Sequence, residues 1–238
     1  MIVSIHQPNY LPYIGFFEKM ALSDVFVLLD TVQFSRDSFT QRTRIRTKDG
    51  SMWLTIPIGK ENYLKPINKI PLPEEDKWLK KHKLSIIANY SKLERFDNSF
   101  VNQYYSGCRE ITTLQEFNEF GIFYLKNKLG IQTKIVRASE LNLKTYLRST
   151  ELLVDVLDTL GADAYISGLG GKKYIDANQF SVKNIKLNYL EFKPFTYPQR
   201  WNGFEPYMNA LDLVFNADRE MFLQEISVLN RSEWIDSK

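Results

Sequence analysis

The sequence predicts an α/β fold: a mostly parallel sheet of βα units in Rossmann-like layers, with an inserted β-hairpin and a helical segment. Short β-branched apolar runs at Ile2–Ile5, Asp24–Asp30, Gly130–Val136, Ala164–Ser167 and Ile185–Phe192 alternate with stretches of helical spacing. The opening reads strand, proline loop, helix, strand, a βαβ unit that implies parallel strands and a right-handed crossover. The texture then changes over residues 36–60 and 74–129, which read as the hairpin and helical insertions of a single domain spanning 1–238.

Each element has a local reason. Ile2–Ile5 is a buried first strand, and the prolines of His6-Gln7-Pro8-Asn9-Tyr10-Leu11-Pro12 forbid regular structure after it. Tyr13–Leu22 is a helix with Phe16, Phe17 and Met20 at helical spacing, and Asp24–Asp30 is a second strand ending on a carboxylate. Arg42–Thr47 and Met52–Ile58 alternate about the turn signal Asp49-Gly50, so residues 36–60 present arginines on a hairpin. Helices follow at Glu74–Asn89, around Phe96–Cys108 and at Thr112–Leu129, the last with Thr112, Thr113 and Glu116 as a capping signature. Strand 130–136, helix Ser149–Leu160 and strand 164–167 restore the βα rhythm before Gly168-Leu-Gly-Gly171, and strand 185–192 follows. A Pro- and aromatic-rich loop, Pro194–Pro206, leads to short helices around 207–217 and 219–229.

Composition excludes several chemistries. The 238 residues include 16 Phe, 13 Tyr and 4 Trp, but two histidines and one cysteine. Cys108 alone builds neither an internal disulfide nor a multi-cysteine metal site, and His6 with His82 cannot make a three-histidine centre. No metal is expected. A net charge of +3 is far from the asymmetry of a dedicated nucleic-acid binder. No basic leader with an apolar run opens the chain, and no stretch suits a membrane span, so a cytoplasmic protein is expected.

Ligands of open α/β sheets bind beyond the carboxyl ends of the strands, where His6–Pro12, Asp30–Gln33 and Gly168–Lys173 all fall. His6 is the candidate base or substrate-orienting group, its alternative being to fix the loop. Asp30 suits a sugar hydroxyl, an amine or a cation, or else caps the next turn. Gly168 to Lys172, with Ser167 before them, suit an anion, although the spacing matches neither a P-loop nor a dinucleotide fingerprint. Arg42 and Arg44 suit phosphate or carboxylate, or form a solvated face, while Phe39 and Trp53 stack on a base or belong to the core. His82 lies in a basic helix and reads as surface or packing, and Cys108 as an inert small residue. In the late loop Gln199 and Glu205 offer polar contacts to a ligand, and Asp212, on an apolar helix face, needs a partner.

Together these segments resemble the WbqC-like family. The match is carried by Ile5-His-Gln-Pro-Asn-Tyr-Leu-Pro12, Gly15-Phe-Phe17, Asp30-Thr-Val-Gln-Phe34, Gln41-Arg42 and Leu54-Thr-Ile-Pro57. It continues with Trp78, Lys81-His82, Ser167-Gly168, Tyr197-Pro-Gln199, Phe204-Glu-Pro206 and Leu211–Asn216. The hairpin departs from the family pattern at Thr43, where Asn is expected. The resemblance implies a bacterial protein of O-antigen or other surface-polysaccharide (lipopolysaccharide) biosynthesis that transfers an acyl or aminoacyl group, such as glycyl, to a sugar amine.

The expected substrate is therefore a dTDP- or UDP-linked amino sugar, with an acyl or aminoacyl donor and no resident metal. His6 and Asp30 are the expected catalytic pair. Gln7, Asn9, Tyr10, Gln33, Arg42, Arg44, Ser167, Gly168, Lys172 and Gln199 are expected to bind substrate. Alternatives are a nucleotidyl- or adenylate-forming enzyme, whose second motif histidine is replaced by Phe16, and a non-catalytic sugar-nucleotide or RNA-binding module.

Overall fold

The computed structural model describes residues 1–106, 111–144 and 146–229, so Cys108 lies outside the described residues. Strands occupy β1 (Ile2–His6), β2 (Val25–Leu28), β3 (Arg42–Thr47), β4 (Gly50–Thr55), β5 (Lys134–Arg137), β6 (Ala164–Gly168) and β7 (Lys186–Leu190). The helices are α1 (Ile14–Ala21), α2 (Lys77–Tyr90), α3 (Asn98–Ser106), α4 (Leu114–Lys128), α5 (Ser149–Leu160), α6 (Ala177–Val182), α7 (Ala210–Asn216) and α8 (Arg219–Val228).

Five strands form one parallel sheet in the order β5-β2-β1-β6-β7, and β3 pairs with β4 as a separate antiparallel hairpin. The chain steps outward from β1 to β2 to β5, then returns to the other side of β1 for β6 and β7. That reversal makes the gap between β1 and β6 the switch point, where open α/β sheets bind ligands.

Alternation along the strands decides which face each helix covers. Val3, Ile5, Val25 and Val27 pack on Leu153, Val156 and Leu157 of α5 and on Phe180 of α6. Phe26 and Leu28 point the other way, into a larger core with Phe16 and Phe17 of α1, Phe117 and Leu125 of α4, and Leu213 and Phe215 of α7.

Most predicted elements stand, α4 with the capping box formed by Thr113 and Glu116. The strand expected from Gly130 starts only at Lys134. Gly130 adopts φ +73 just past α4, and the Thr133 hydroxyl donates to the carbonyls of Met20 and Ser23, so these residues serve as a helix stop and a brace. Helix α6 has no counterpart in the sequence reading: six residues are too few for a helical period, although Asp176 accepts from the Asn178 amide as its cap. Among the described residues no helix is long and apolar enough to cross a membrane.

Candidate functional site

The site begins where the sheet parts. β1 pairs with β2 as far as His6–Leu28, but with β6 only as far as Ser4–Ile166, while β6 and β7 continue to Gly168–Leu190. The His6 carbonyl accepts from the Leu29 amide on the β2 side. Carbonyls alternate along a strand, so that of Ile5 faces β6, where the ladder has ended. A buried polar group needs a partner, and here it is the Lys19 ammonium of α1, whose Nζ donates to the Ile5 oxygen at 2.9 Å.

A cavity of about 840 Å³ opens at this split. It is lined by His6, Gln7, Asn9 and Lys19 from the end of β1, the loop after it and α1, by Ser167, Gly168 and Gly171 from the end of β6 and the turn after it, and by Phe39, Arg44 and Trp53 of the hairpin segment. The loop after β1 is held by its neighbours. Asn118 of α4 donates to the carbonyls of Pro8 and Thr40 at 2.9 and 2.8 Å, and Thr43 donates to that of Leu11 at 2.8 Å. Two glycines permit close approach: a Cβ at Gly15 would lie 2.6 Å from the Phe192 ring, and one at Gly171 would lie 2.2 Å from the Ser167 hydroxyl.

His6 Nδ1 lies 3.0 Å from the Gln7 carbonyl. A carbonyl only accepts, so Nδ1 carries the hydrogen and Nε2 the lone pair. Among the described residues Nε2 has no hydrogen-bond partner. Burial first, and the Lys19 charge second, push the imidazole down to about 3, so it is neutral at pH 7. Lys19 is 5% exposed, lies 5.8 Å from the centre of the Phe26 ring, and has no carboxylate partner among the described residues. Burial alone pushes its amine down to about 7.

The hairpin supplies the cavity's cationic and aromatic rim. The Arg42 guanidinium sits 4.5 Å from the Trp53 ring centre and that of Arg44 5.7 Å away, with Phe39 at 5.9 Å on the same indole. Arg44 reaches Glu205 only at 4.0 Å. Arg46, buried between the hairpin turn and the late loop, donates to the carbonyls of Thr47, Gly50, Asn202 and Gly203.

The split gathers His6, Gln7, Asn9, Arg44, Ser167 and Gly168 of the expected residues around one cavity, and places the others elsewhere. Asp30 is fully buried and accepts from the Ser139 amide and hydroxyl, tying the end of β2 to the turn after β5. Tyr10 is buried in an aromatic core, its hydroxyl 3.0 Å from His82 Nδ1 and 2.6 Å from that of Tyr105. Gln33 is exposed and bridges to Pro66. Arg42 reaches the rim only through Trp53 and is 3.8 Å from Asp37, and Lys172 lies over the Tyr189 ring at 5.2 Å.

Gln199 belongs to a separate network. Its Nε2 donates to Asp212 at 2.7 Å beside the Tyr197 hydroxyl at 2.8 Å, and the Tyr90 hydroxyl bonds the same carboxylate. Asp212 has the partners its burial requires, and burial still raises its pKa.

The residue missed in the sequence is Lys19. Its signal was a lysine inside Ile14-Gly-Phe-Phe-Glu-Lys-Met-Ala21, a short apolar helix directly after a strand-end loop. Among the described residues no group of three or more His, Cys, Asp or Glu is placed to hold a metal.

Comparison with known proteins agrees with the motif pattern. The sequence model of the WbqC-like protein family matches residues 7–222. A Mycobacterium tuberculosis protein, Rv1507c, described as uncharacterized, is 28% identical over 221 residues, covering 92% of this chain and 94% of the relative. The first residues of the loop after β1, the hairpin and the Ser167-Gly168 turn, which together enclose the cavity, all fall within the matched span, and the chain belongs to the WbqC-like protein family.

Proposed function

We propose that the protein transfers an acyl or aminoacyl group to the amine of a nucleotide-linked amino sugar bound in the switch-point cavity. The observation that carries this reading is the pairing of a neutral His6 Nε2, unpartnered among the described residues, with a rim of Trp53, Phe39 and Arg44. Base–aromatic stacking is sequence-tolerant and worth roughly 1–3 kcal/mol per base, so Trp53 suits the nucleobase. Arg44, which lines the cavity half-buried, donates to the Ser51 hydroxyl and lies 4.0 Å from Glu205, suits the diphosphate. Ser167 and the Gly168–Gly171 turn leave room for the sugar: a Cβ at Gly168 or Gly170 would touch nothing within 4 Å.

In the reaction the sugar nitrogen attacks the acyl carbonyl, the C–N bond forms, and the bond to the leaving group breaks. A neutral imidazole at about 3 stores no proton at pH 7, so His6 contributes by accepting an N–H from the amine and aiming its lone pair at the carbonyl. Purified protein with a dTDP- or UDP-amino sugar and candidate acyl donors should give an acylated sugar by mass spectrometry. Absence of product with every donor, or undiminished product from His6→Ala, contradicts the reading.

One observation favours adenylate or nucleotidyl transfer as a second reading: after the loop that follows β1, the N-terminal end of α1 reaches the cavity through Tyr13 and Gly15, a position suited to phosphate. In this reading Phe16, its ring 4.9 Å from His6, stands where a second histidine would act. Release of pyrophosphate from ATP on adding the acyl acid distinguishes this case.

A further inference from the structure

The acylation above liberates a proton, and a His6 imidazole at about 3 does not hold it. Resting on the acyl-transfer reading, we propose that Lys19 Nζ is the proton acceptor of the cavity, taking the proton that the substrate's ammonium group must lose before its nitrogen can attack.

Lys19 sits at the parting of β1 and β6, lines the cavity beside His6, and among the described residues is hydrogen-bonded only to a backbone carbonyl. Buried lysines kept charged for structural reasons carry a carboxylate partner, because an unpaired buried charge is costly. Lys19 has none among the described residues, and Phe26 lies below it. Desolvation brings its amine down to about 7, so that both the neutral and the charged form are accessible near neutral pH.

The balance closes with an activated acyl donor RC(O)X. Sugar–NH₃⁺ passes one proton to Lys19–NH₂, giving sugar–NH₂ and Lys19–NH₃⁺. The nitrogen adds to the carbonyl, the C–X bond breaks, and the second nitrogen proton leaves with X⁻ as HX. The new lysinium at the floor of the cavity then returns its proton to solvent. Through its bond to the Ile5 carbonyl the lysine keeps one position in both protonation states.

The test uses the whole protein labelled with ¹³Cε-lysine, the Lys19 resonance being identified by its loss in Lys19→Met. The expected midpoint of its titration is near 7, against ~10.4 for exposed lysines. Lys19→Arg, which cannot deprotonate, is expected to lose about 100-fold or more in acylation while dTDP binding changes by less than about threefold. A midpoint within about one unit of the exposed lysines, or Lys19→Arg and Lys19→Met both retaining more than half the acylation, overturns the proposal. If no donor gives product with the wild-type protein, the acyl-transfer reading fails, and the titration is repeated with saturating dTDP-amino sugar. A Lys19 midpoint displaced by about one unit or more then still supports a proton acceptor for a bound amine, and an unmoved midpoint overturns it.

Discussion

The two histidines, His6 and His82, are both driven neutral by burial, to about 3 and about 4, yet their surroundings differ in one respect. The His82 ring is used on both sides, by the Tyr10 hydroxyl and by the Thr55 carbonyl, inside a cage of Trp78 and Tyr105. His6 spends one nitrogen on the Gln7 carbonyl and leaves the other to the cavity. Burial and a depressed pKa are therefore common to both rings, and what distinguishes them among the described residues is an unspent hydrogen-bonding position on His6. Asp212 and Lys19 repeat the contrast: among the described residues the first has Tyr90, Tyr197, Gln199 and Asn216 as side-chain partners and the second one carbonyl.

The largest expected effect breaks the satisfied side of this comparison. Asp212→Ala removes the acceptor shared by Tyr90, Tyr197 and Gln199 and should cost about 3–5 kcal/mol in chemical denaturation, since several buried donors are left unpaired at once. An effect below about 1 kcal/mol would show that water reaches the network.

Next comes a crossed pair. His6→Ala should lower acylation about 10²–10³-fold with a stability change below about 1 kcal/mol, whereas His82→Ala should cost about 2–4 kcal/mol in stability and leave nucleotide affinity unchanged. Equal stability losses from the two variants would erase the distinction.

Where the histidines are alike, they should titrate alike. Each binds fewer protons folded than unfolded between its lowered pKa and ~6.5, so their stability contribution is complete above pH ~6.5 and is lost as pH falls. Each should add up to ~1.4 kcal/mol per pH unit to the acid slope of the unfolding free energy, and either alanine variant should remove its own share. The smallest effect tests the rim: Trp53→Ala should weaken dTDP or UDP binding about tenfold in calorimetry, within the range of one lost stacking contact.

Much of the fold was legible because strand runs, proline loops and capping residues act locally, as at Thr113–Glu116 of α4. The strand order was not, because nothing in the sequence states on which side of β1 the chain returns. The site followed the same division. His6, Gln7 and Asn9, singled out from one strand-end loop, and Arg44, from its place on the hairpin, line the cavity. Asp30 sits at an equally suggestive strand end, yet Ser139, more than a hundred residues later, takes up its carboxylate. Lys19 escaped notice because its distinction is that no described residue gives it a counter-ion, and a missing partner is visible only in three dimensions.

The Arg46 clamp has a mechanical consequence. One guanidinium holds four carbonyls, two in the hairpin turn and two in the late loop, so the hairpin cannot swing alone. Hairpin and late loop thus form one stiff piece, and in the acyl transfer proposed above substrate and product would pass by the open flank at Gly168 and Gly170, where an added Cβ would meet nothing within 4 Å.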